Sequence, residues 1–221
     1  MHFIIGSRGS TLALWQAEWV RSRLREAGDS AEIKVITTTG DRMASASLAQ
    51  PPAKGLFIKE IEESLLAGDV DLAVHSLKDL PVDQPQGLYI AAIPEREDAR
   101  DALLTRSGVS FDNLPPQSSV GTSSPRRQSQ LRSLRPDLKI VPLRGNVDTR
   151  VRKLDRGDYD AIVMAAAGLH RLGLQDRIAQ YFAPSEICPA AGQGALAIEI
   201  RQEDDRVAAA VQPLDHAATR S

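Results

Sequence analysis

Apolar residues change their spacing several times in the first third of the chain. His2-Phe3-Ile4-Ile5-Gly6 is a short apolar run that stops at Gly6-Ser7-Arg8, which predicts a strand over 2–6. Leu12, Trp15, Trp19 and Leu24 then recur at helical spacing until Ala27-Gly28, a helix with a glycine stop. The β-branched stretch 33–38 predicts a second strand. Residues 42–54, with Ser45, Ser47, Pro51 and Pro52, predict a long polar connection. Phe57, Ile58, Ile61 and Leu65 predict a second amphipathic helix closed by Gly68, and 70–75 the next strand.

The second half repeats this grammar. Val120-Gly121-Thr122-Ser123 parallels Ile5-Gly6-Ser7, 128–134 reads as a helix and 139–143 as a strand. Arg144-Gly145-Asn146 takes the place of Thr39-Gly40-Asp41, and Gly68-Asp69-Val70-Asp71-Leu72-Ala73-Val74 is echoed by Gly157-Asp158-Tyr159-Asp160-Ala161-Ile162-Val163. Alternating strands and helices imply an α/β fold of mostly parallel sheets covered by helices, here as two related lobes. Residues 1–94 predict the first domain, rejoined by 195–215, whose stretch 195–200 reads as a returning strand. Residues 95–194 predict the second. Ligands of open α/β sheets bind beyond the carboxyl ends of strands. Those ends are Ser7-Arg8, Thr39-Gly40-Asp41, 75–79, 121–124, 144–146 and 165–168, and lobes that face one another would line an interdomain cleft with them.

Composition narrows the chemistry. The 221 residues carry a formal charge of -2, yet between Arg126 and Lys153 nine basic residues stand against two acids, Asp137 and Asp148. Aromatics at 4% leave little stacking surface for nucleic acid. No apolar run reaches spanning length, and the N-terminus lacks the basic region and cleavage site of a signal peptide. A single cysteine excludes an internal disulfide framework. The chain reads as cytoplasmic, with neither nucleic acid nor membrane as a partner.

Ser123-Ser124-Pro125-Arg126-Arg127 places hydroxyls and a proline before a helix, so backbone N–H groups and two guanidiniums favour an anion. An isolated Arg pair is more often solvated surface charge; Arg144-Gly145-Asn146 and Arg150 at the next strand–helix junction shift the balance to a carboxylate or phosphate site. Lys78-Asp79 follows a buried strand and is closed by Pro81. An aspartate there, near fixed arginines, would be ionised and able to stabilise positive charge or move a proton. His75 reads as a hydrogen-bonded structural histidine. Gly192-Gln193-Gly194-Ala195-Leu196-Ala197 fits G-x-G-x-x-A only superficially, because it precedes a strand instead of opening a helix. His2, His75, His170 and His216 are scattered, so no metal site is expected.

These segments together closely resemble the porphobilinogen deaminase (hydroxymethylbilane synthase) family. The matching stretches are Ser7-Arg8-Gly9-Ser10-Thr11-Leu12, Lys54-Gly55-Leu56-Phe57-Ile58-Lys59-Glu60, His75-Ser76-Leu77-Lys78-Asp79-Leu80-Pro81, Gly121-Thr122-Ser123-Ser124-Pro125-Arg126-Arg127, Leu143-Arg144-Gly145-Asn146-Val147-Asp148-Thr149-Arg150 and Pro189-Ala190-Ala191-Gly192-Gln193-Gly194. The resemblance implies lobes like those of type 2 periplasmic binding proteins, with strands crossing near 93–101 and 185–194. It implies a monomeric transferase of tetrapyrrole (haem) biosynthesis, which deaminates four porphobilinogen molecules and joins them head to tail. By the same resemblance Asp79 is the catalytic carboxylate. Lys78, Arg126, Arg127, Ser123, Thr122, Arg144, Arg150 and Ser10 bind a dipyrromethane cofactor, and Arg8, Arg144 and Gln193 bind substrate.

One departure stands out. The family anchors dipyrromethane through a cysteine of a third, C-terminal domain, whose start would be residues 216–221. Cys188 does not match that position and reads as a small buried residue. The missing anchor leaves a second reading: a non-catalytic two-lobe module that binds small polycarboxylates.

Overall fold

The computed structural model describes residues 1–40 and 58–220. The expected connection 42–54, Asp41 and the motif residues Lys54 to Phe57 lie outside them. The chain runs through β1 (His2–Ser7), α1 (Thr11–Glu26), β2 (Ser30–Val35), α2 (Lys59–Leu66), β3 (Leu72–Ser76), a 3-10 turn (Leu77–Asp79) and β4 (Leu88–Ala92). It continues into β5 (Asp101–Thr105), β6 (Ser119–Gly121), α3 (Pro125–Leu134), β7 (Lys139–Val141), α4 (Val147–Asp155), β8 (Ala161–Ala165), α5 (Ala166–Arg171) and β9 (Gln180–Tyr181). It then returns through β10 (Leu196–Arg201), α6 (Asp205–Val211) and α7 (Ala217–Arg220). Two compact units result: Met1–Arg96 with Ala195–Ser221, and Glu97–Gly194.

In the first unit the sheet order is β2-β1-β3-β10-β4, with β1, β2 and β3 parallel and β10 antiparallel to both neighbours. In the second it is β7-β6-β8-β5-β9, with β5 as the reversed strand. Each sheet thus has four of five strands running one way, in the same spatial pattern. The repeat legible in the glycine turns is a repeat of architecture.

Alternation along the strands explains why both sheet faces are covered. Phe3 and Ile5 pack with Val20 and Leu24 of α1 and with Val207 and Val211 of α6, whereas Ile4, between them, packs on the opposite face against Ile61, Leu65 and Val70. In β5, Leu103 joins Leu131 and Phe182 on one face, while Ala102 and Leu104 join Leu143, Leu154 and Leu169 on the other. Period-two side chains on a sheet sandwiched by helices give this result.

Strand boundaries move relative to the apolar runs for a reason of pairing. β2 occupies Ser30–Val35, not 33–38, because it follows β1 residue by residue from His2↔Ser30 to Ser7↔Val35 and ends where β1 ends. β7 stops at Val141 because its partner β6 has three residues. At the start of β3, Asp71 is occupied instead as an acceptor for the Ile4 N–H at 2.7 Å.

Gly194 closes the second unit. Its φ is +91°, and a Cβ there would lie 2.3 Å from the Glu97 carbonyl oxygen. Gly194→Ala is expected to destabilise this unit by about 1–3 kcal/mol through backbone strain, with further loss from the displaced Glu97. A urea unfolding midpoint unchanged from the parent would contradict it.

Candidate functional site

In the first unit, the end of β1 is tied to α1: the buried Ser7 hydroxyl donates to the Ala13 carbonyl at 3.1 Å. Arg8 follows, half-buried. Ser10 is the N-cap of α1, and its oxygen accepts from the Ala13 N–H at 3.3 Å. At the end of β3, Ser76 Oγ accepts from Gln16 Nε2 at 3.0 Å, and the Leu77 N–H donates to Ala195 at 3.0 Å. Lys78 and Asp79 then stand exposed on the 3-10 turn, which closes with Leu80 N–H on Leu77 O at 3.2 Å. His75 is buried and hydrogen-bonded, Nε2 to Glu199 Oε2 at 3.1 Å.

In the second unit, β6 delivers Thr122 to Ser124. The Thr122 N–H continues the ladder to Val141 at 2.9 Å, and its hydroxyl accepts from the Ser124 N–H at 3.2 Å. Ser123 Oγ accepts from the Leu143 N–H at 3.0 Å, linking this turn to the segment that leads into Arg144. Ser124 caps α3 with Pro125 in its first turn. The hydroxyls of this motif therefore build the turn. At the next junction Arg144 is exposed, Gly145 adopts φ +117° with no room for a Cβ beside Thr149, and Arg150 Nε bonds back to the Gly145 carbonyl at 2.6 Å.

The adjacent arginines are not equivalent. Arg127, with its side chain 7% exposed, bonds through Nε and Nη2 to Oδ1 of Asp101, at 3.1 and 2.6 Å, and through Nη1 to the Val163 carbonyl. Arg126, 25% exposed, forms an ion pair with Asp101 Oδ2 at 2.7 Å and also donates to the Cys188 carbonyl. Gln193 completes the cluster, with Nε2 on Asp101 Oδ1 at 2.8 Å and on the Ala99 carbonyl at 2.7 Å.

Asp101 was missed by sequence reasoning. It sits in the charged run Glu95-Arg96-Glu97-Asp98-Ala99-Arg100-Asp101, which resembles solvated decoration. The signal was present: an acid opening the fully buried strand Asp101–Thr105 needs a cationic partner. Burial would raise its carboxyl, but the Arg127 hydrogen bonds and charge, then Arg126 and Gln193, hold it below the usual carboxylate range. Arg171 of α5 was also missed. Burial pushes its guanidinium down to about 10 against the charge of Glu97, and it donates to the Gly194 carbonyl at 2.6 Å.

Cys188 was expected to be buried, and the structure corrects this: it is exposed. Its backbone is the part held in place, the N–H by Gln130 Oε1 at 2.7 Å and the carbonyl by Gln130 and Arg126. Among the described residues no group of three or more His, Cys, Asp or Glu is placed to hold a metal ion.

Residues 3–209 match the family model described as porphobilinogen deaminase, dipyromethane cofactor binding domain. The chain is 52% identical over 212 residues to a porphobilinogen deaminase of Syntrophobacter fumaroxidans, covering 95% of this chain and 69% of that protein. It is 54% identical over 217 residues to a porphobilinogen deaminase of Syntrophotalea carbinolica, covering 97% and 69%. Among solved structures, a periplasmic substrate-binding protein of an ABC transporter from Coxiella burnetii aligns with a TM-score of 0.61 at 15% identity, over 99% of this chain and 94% of that one. That likeness speaks to the fold alone.

Neutralising Asp101 should cost the second unit about 3–5 kcal/mol, because Asp101→Asn leaves a buried guanidinium without its counter-charge. A depressed carboxylate contributes stability that is complete above its unfolded value of about 3.9 and is lost as pH falls through the folded value below it. The parent should therefore lose this contribution only in acid below about pH 4. Chemical denaturation of both proteins at neutral and acid pH checks this; an equal stability at neutral pH would contradict it.

Proposed function

The chain belongs to the porphobilinogen deaminase family, and on that premise we propose that it acts as a hydroxymethylbilane synthase, joining four porphobilinogen molecules head to tail. The observation that carries this reading is the family match over residues 3–209, which includes every proposed site residue. In each round the C–N bond of the substrate's aminomethyl group breaks with its electron pair leaving on ammonia, and an azafulvene cation results. A new C–C bond then forms to the free pyrrole α-carbon, which sheds a proton to restore aromaticity. Water adds to the last methylene at release.

The residues suit that chemistry. Asp79, exposed on a turn whose root is fixed in the sheet, is the proposed catalytic group, an anion for the developing cation and the pyrrole N–H groups. Each pyrrole unit carries two carboxylates, so an elongating chain accumulates charge that guanidiniums must balance. We assign that task to Arg8, Arg126, Arg127, Arg144 and Arg150. Arg144 is exposed, Arg8, Arg126 and Arg150 are half-buried, and Arg127 is buried against Asp101. Ser10, Thr122, Ser123 and Gln193 shape the turns from which these groups project.

The donor set fits a dipyrromethane, a compound of carboxylates and pyrrole N–H groups, and Lys78, Arg126, Arg127, Arg144 and Arg150 with the Ser123 turn would hold it. When bound it supplies the pyrrole carbon to which the first substrate unit is joined. Its covalent anchor is proposed to lie in a third, C-terminal domain; the relatives extend beyond the matched region, which is 69% of their length. The same reading makes the protein a cytoplasmic monomer. No described helix is long and apolar enough to cross a membrane. The competing reading is a binding module that uses the same arginines and turns nothing over.

Porphobilinogen consumption with ammonia release separates the two. Asp79→Ala should fold normally and lose about 10²–10⁴-fold in turnover, the usual contribution of a positioned carboxylate. Arg144→Leu should weaken porphobilinogen binding by about 2 kcal/mol, the worth of a charge-assisted bond. Near-parent turnover in the first variant would remove Asp79 from the mechanism; unchanged substrate dependence in the second would remove Arg144 from the site.

A further inference from the structure

We infer that Glu199 is a positioning residue for Asp79, acting through His75. The inference rests on the role proposed for Asp79 but is drawn from a part of the first unit that the mechanism does not otherwise use.

Glu199 is fully buried in the middle of β10, and His75 is 6% exposed near the end of β3. The antiparallel ladder pairs Glu199 with Ala73 and Ala197 with His75, so Glu199 and His75 are diagonal neighbours on one sheet face, with His75 Nε2 and Glu199 Oε2 3.1 Å apart. The surroundings are apolar: Ala73 packs on this face with Ile61 and Leu65 of α2, and with Val70 and Leu88. Glu62 of α2 brings a second carboxyl toward the pair. Burial first, then the charge of Glu199, push Glu62 above the ordinary range, while His75 opposes this. Among the described residues, one oxygen of Glu199 and one of Glu62 are buried without a hydrogen-bond partner.

Such a cluster is a poor device for stability. Burying charges costs more than well-packed hydrocarbon of the same volume, and an unpartnered buried oxygen adds to the cost. Its location supplies the reason for keeping it. Beyond His75, Ser76 still pairs with Leu196 and accepts from Gln16 of α1, and the Leu77 N–H donates to the Ala195 carbonyl, before Lys78 and Asp79 emerge exposed. The direction in which the Asp79 carboxylate leaves the sheet is therefore set at this root. Glu199 fixes His75, a root side chain on the sheet face that α2 covers, and through it the twist of the strand end. Misplacing a catalytic group by a fraction of a bond length lowers the rate of the chemical step while leaving binding contacts elsewhere in place.

The test uses Glu199→Gln, which keeps the size of the side chain and an acceptor oxygen but removes the charge that orients the imidazole. Parent and variant are compared for porphobilinogen turnover, thermal unfolding, and the ¹⁵N–¹H amide resonances of Leu77, Lys78 and Asp79. The expected result is kcat lower by about 10- to 100-fold with KM within about twofold, and displaced amide signals for these three residues in a protein that remains folded. Unmoved amide signals overturn the inference, as does a kcat loss accounted for by a smaller folded fraction. Should the single variant not fold, the neutral pair Glu199→Gln with His75→Gln is measured in the same way and read by the same outcomes. A parent that turns over no porphobilinogen would sink the functional reading alone, since the amide signals still decide whether Glu199 governs the turn.

Discussion

A carboxylate removed from water must find cations and hydrogen-bond donors, and in the second unit that requirement organises everything near the proposed carboxylate-binding arginines. Asp101 draws Arg127 down from α3, holds Arg126 at its edge, and is bridged by Gln193 to the segment that leaves the unit. Three stretches far apart in sequence meet on one side chain. The arrangement also determines how much positive charge is available to a ligand. Asp101 offsets one of two adjacent guanidiniums, so the pair presents roughly a single net charge through the more exposed Arg126, instead of two competing ones.

The same logic explains why the turns are built as they are. Thr122, Ser123 and Ser124 satisfy backbone N–H groups at a strand end and a helix start, positions where unpaired donors would otherwise face the interior. Gly145 gives Arg144 and Asn146 a backbone geometry that a Cβ would forbid. Hydroxyls and glycine thereby form a rigid frame, and the guanidiniums project from it.

Much of the fold was legible because it depends on local periodicity. Leu12, Trp15, Trp19 and Leu24 lie on a real helix, and the glycine-turn repeat corresponds to two sheets of identical order. Where the reading slipped, pairing partners were responsible: the length of β1 decides where β2 ends, and no window within residues 30–38 contains that information. The arginine pair was legible as two adjacent cations, yet their different burial was not. Arg126 and Arg127 are indistinguishable as letters, and only the packing of α3 against β5 makes one internal. Cys188 failed for the converse reason. Its residue type favours burial, but the proline after it and the hydrogen bonds of its backbone to Gln130 hold the segment so that the side chain is left exposed.

What the letters could least reveal is the consequence of reversing one strand in each sheet. In a parallel sheet the functional loops gather where strands end, so residues within strands seldom reach them. A strand running the opposite way begins at that edge. β5 opens with Asp101, and the segment before β10 supplies Ala195, whose carbonyl holds the Leu77 N–H beside the Asp79 turn. Glu199, further along β10, meets His75 for the same topological reason. In both units the reversed strand therefore carries a buried acid, and in both that acid meets a basic side chain from a neighbouring element. Two sheets of one order, each with its fourth strand inverted, give the protein two such acids. Both follow from strand order before any consideration of what the loops bind.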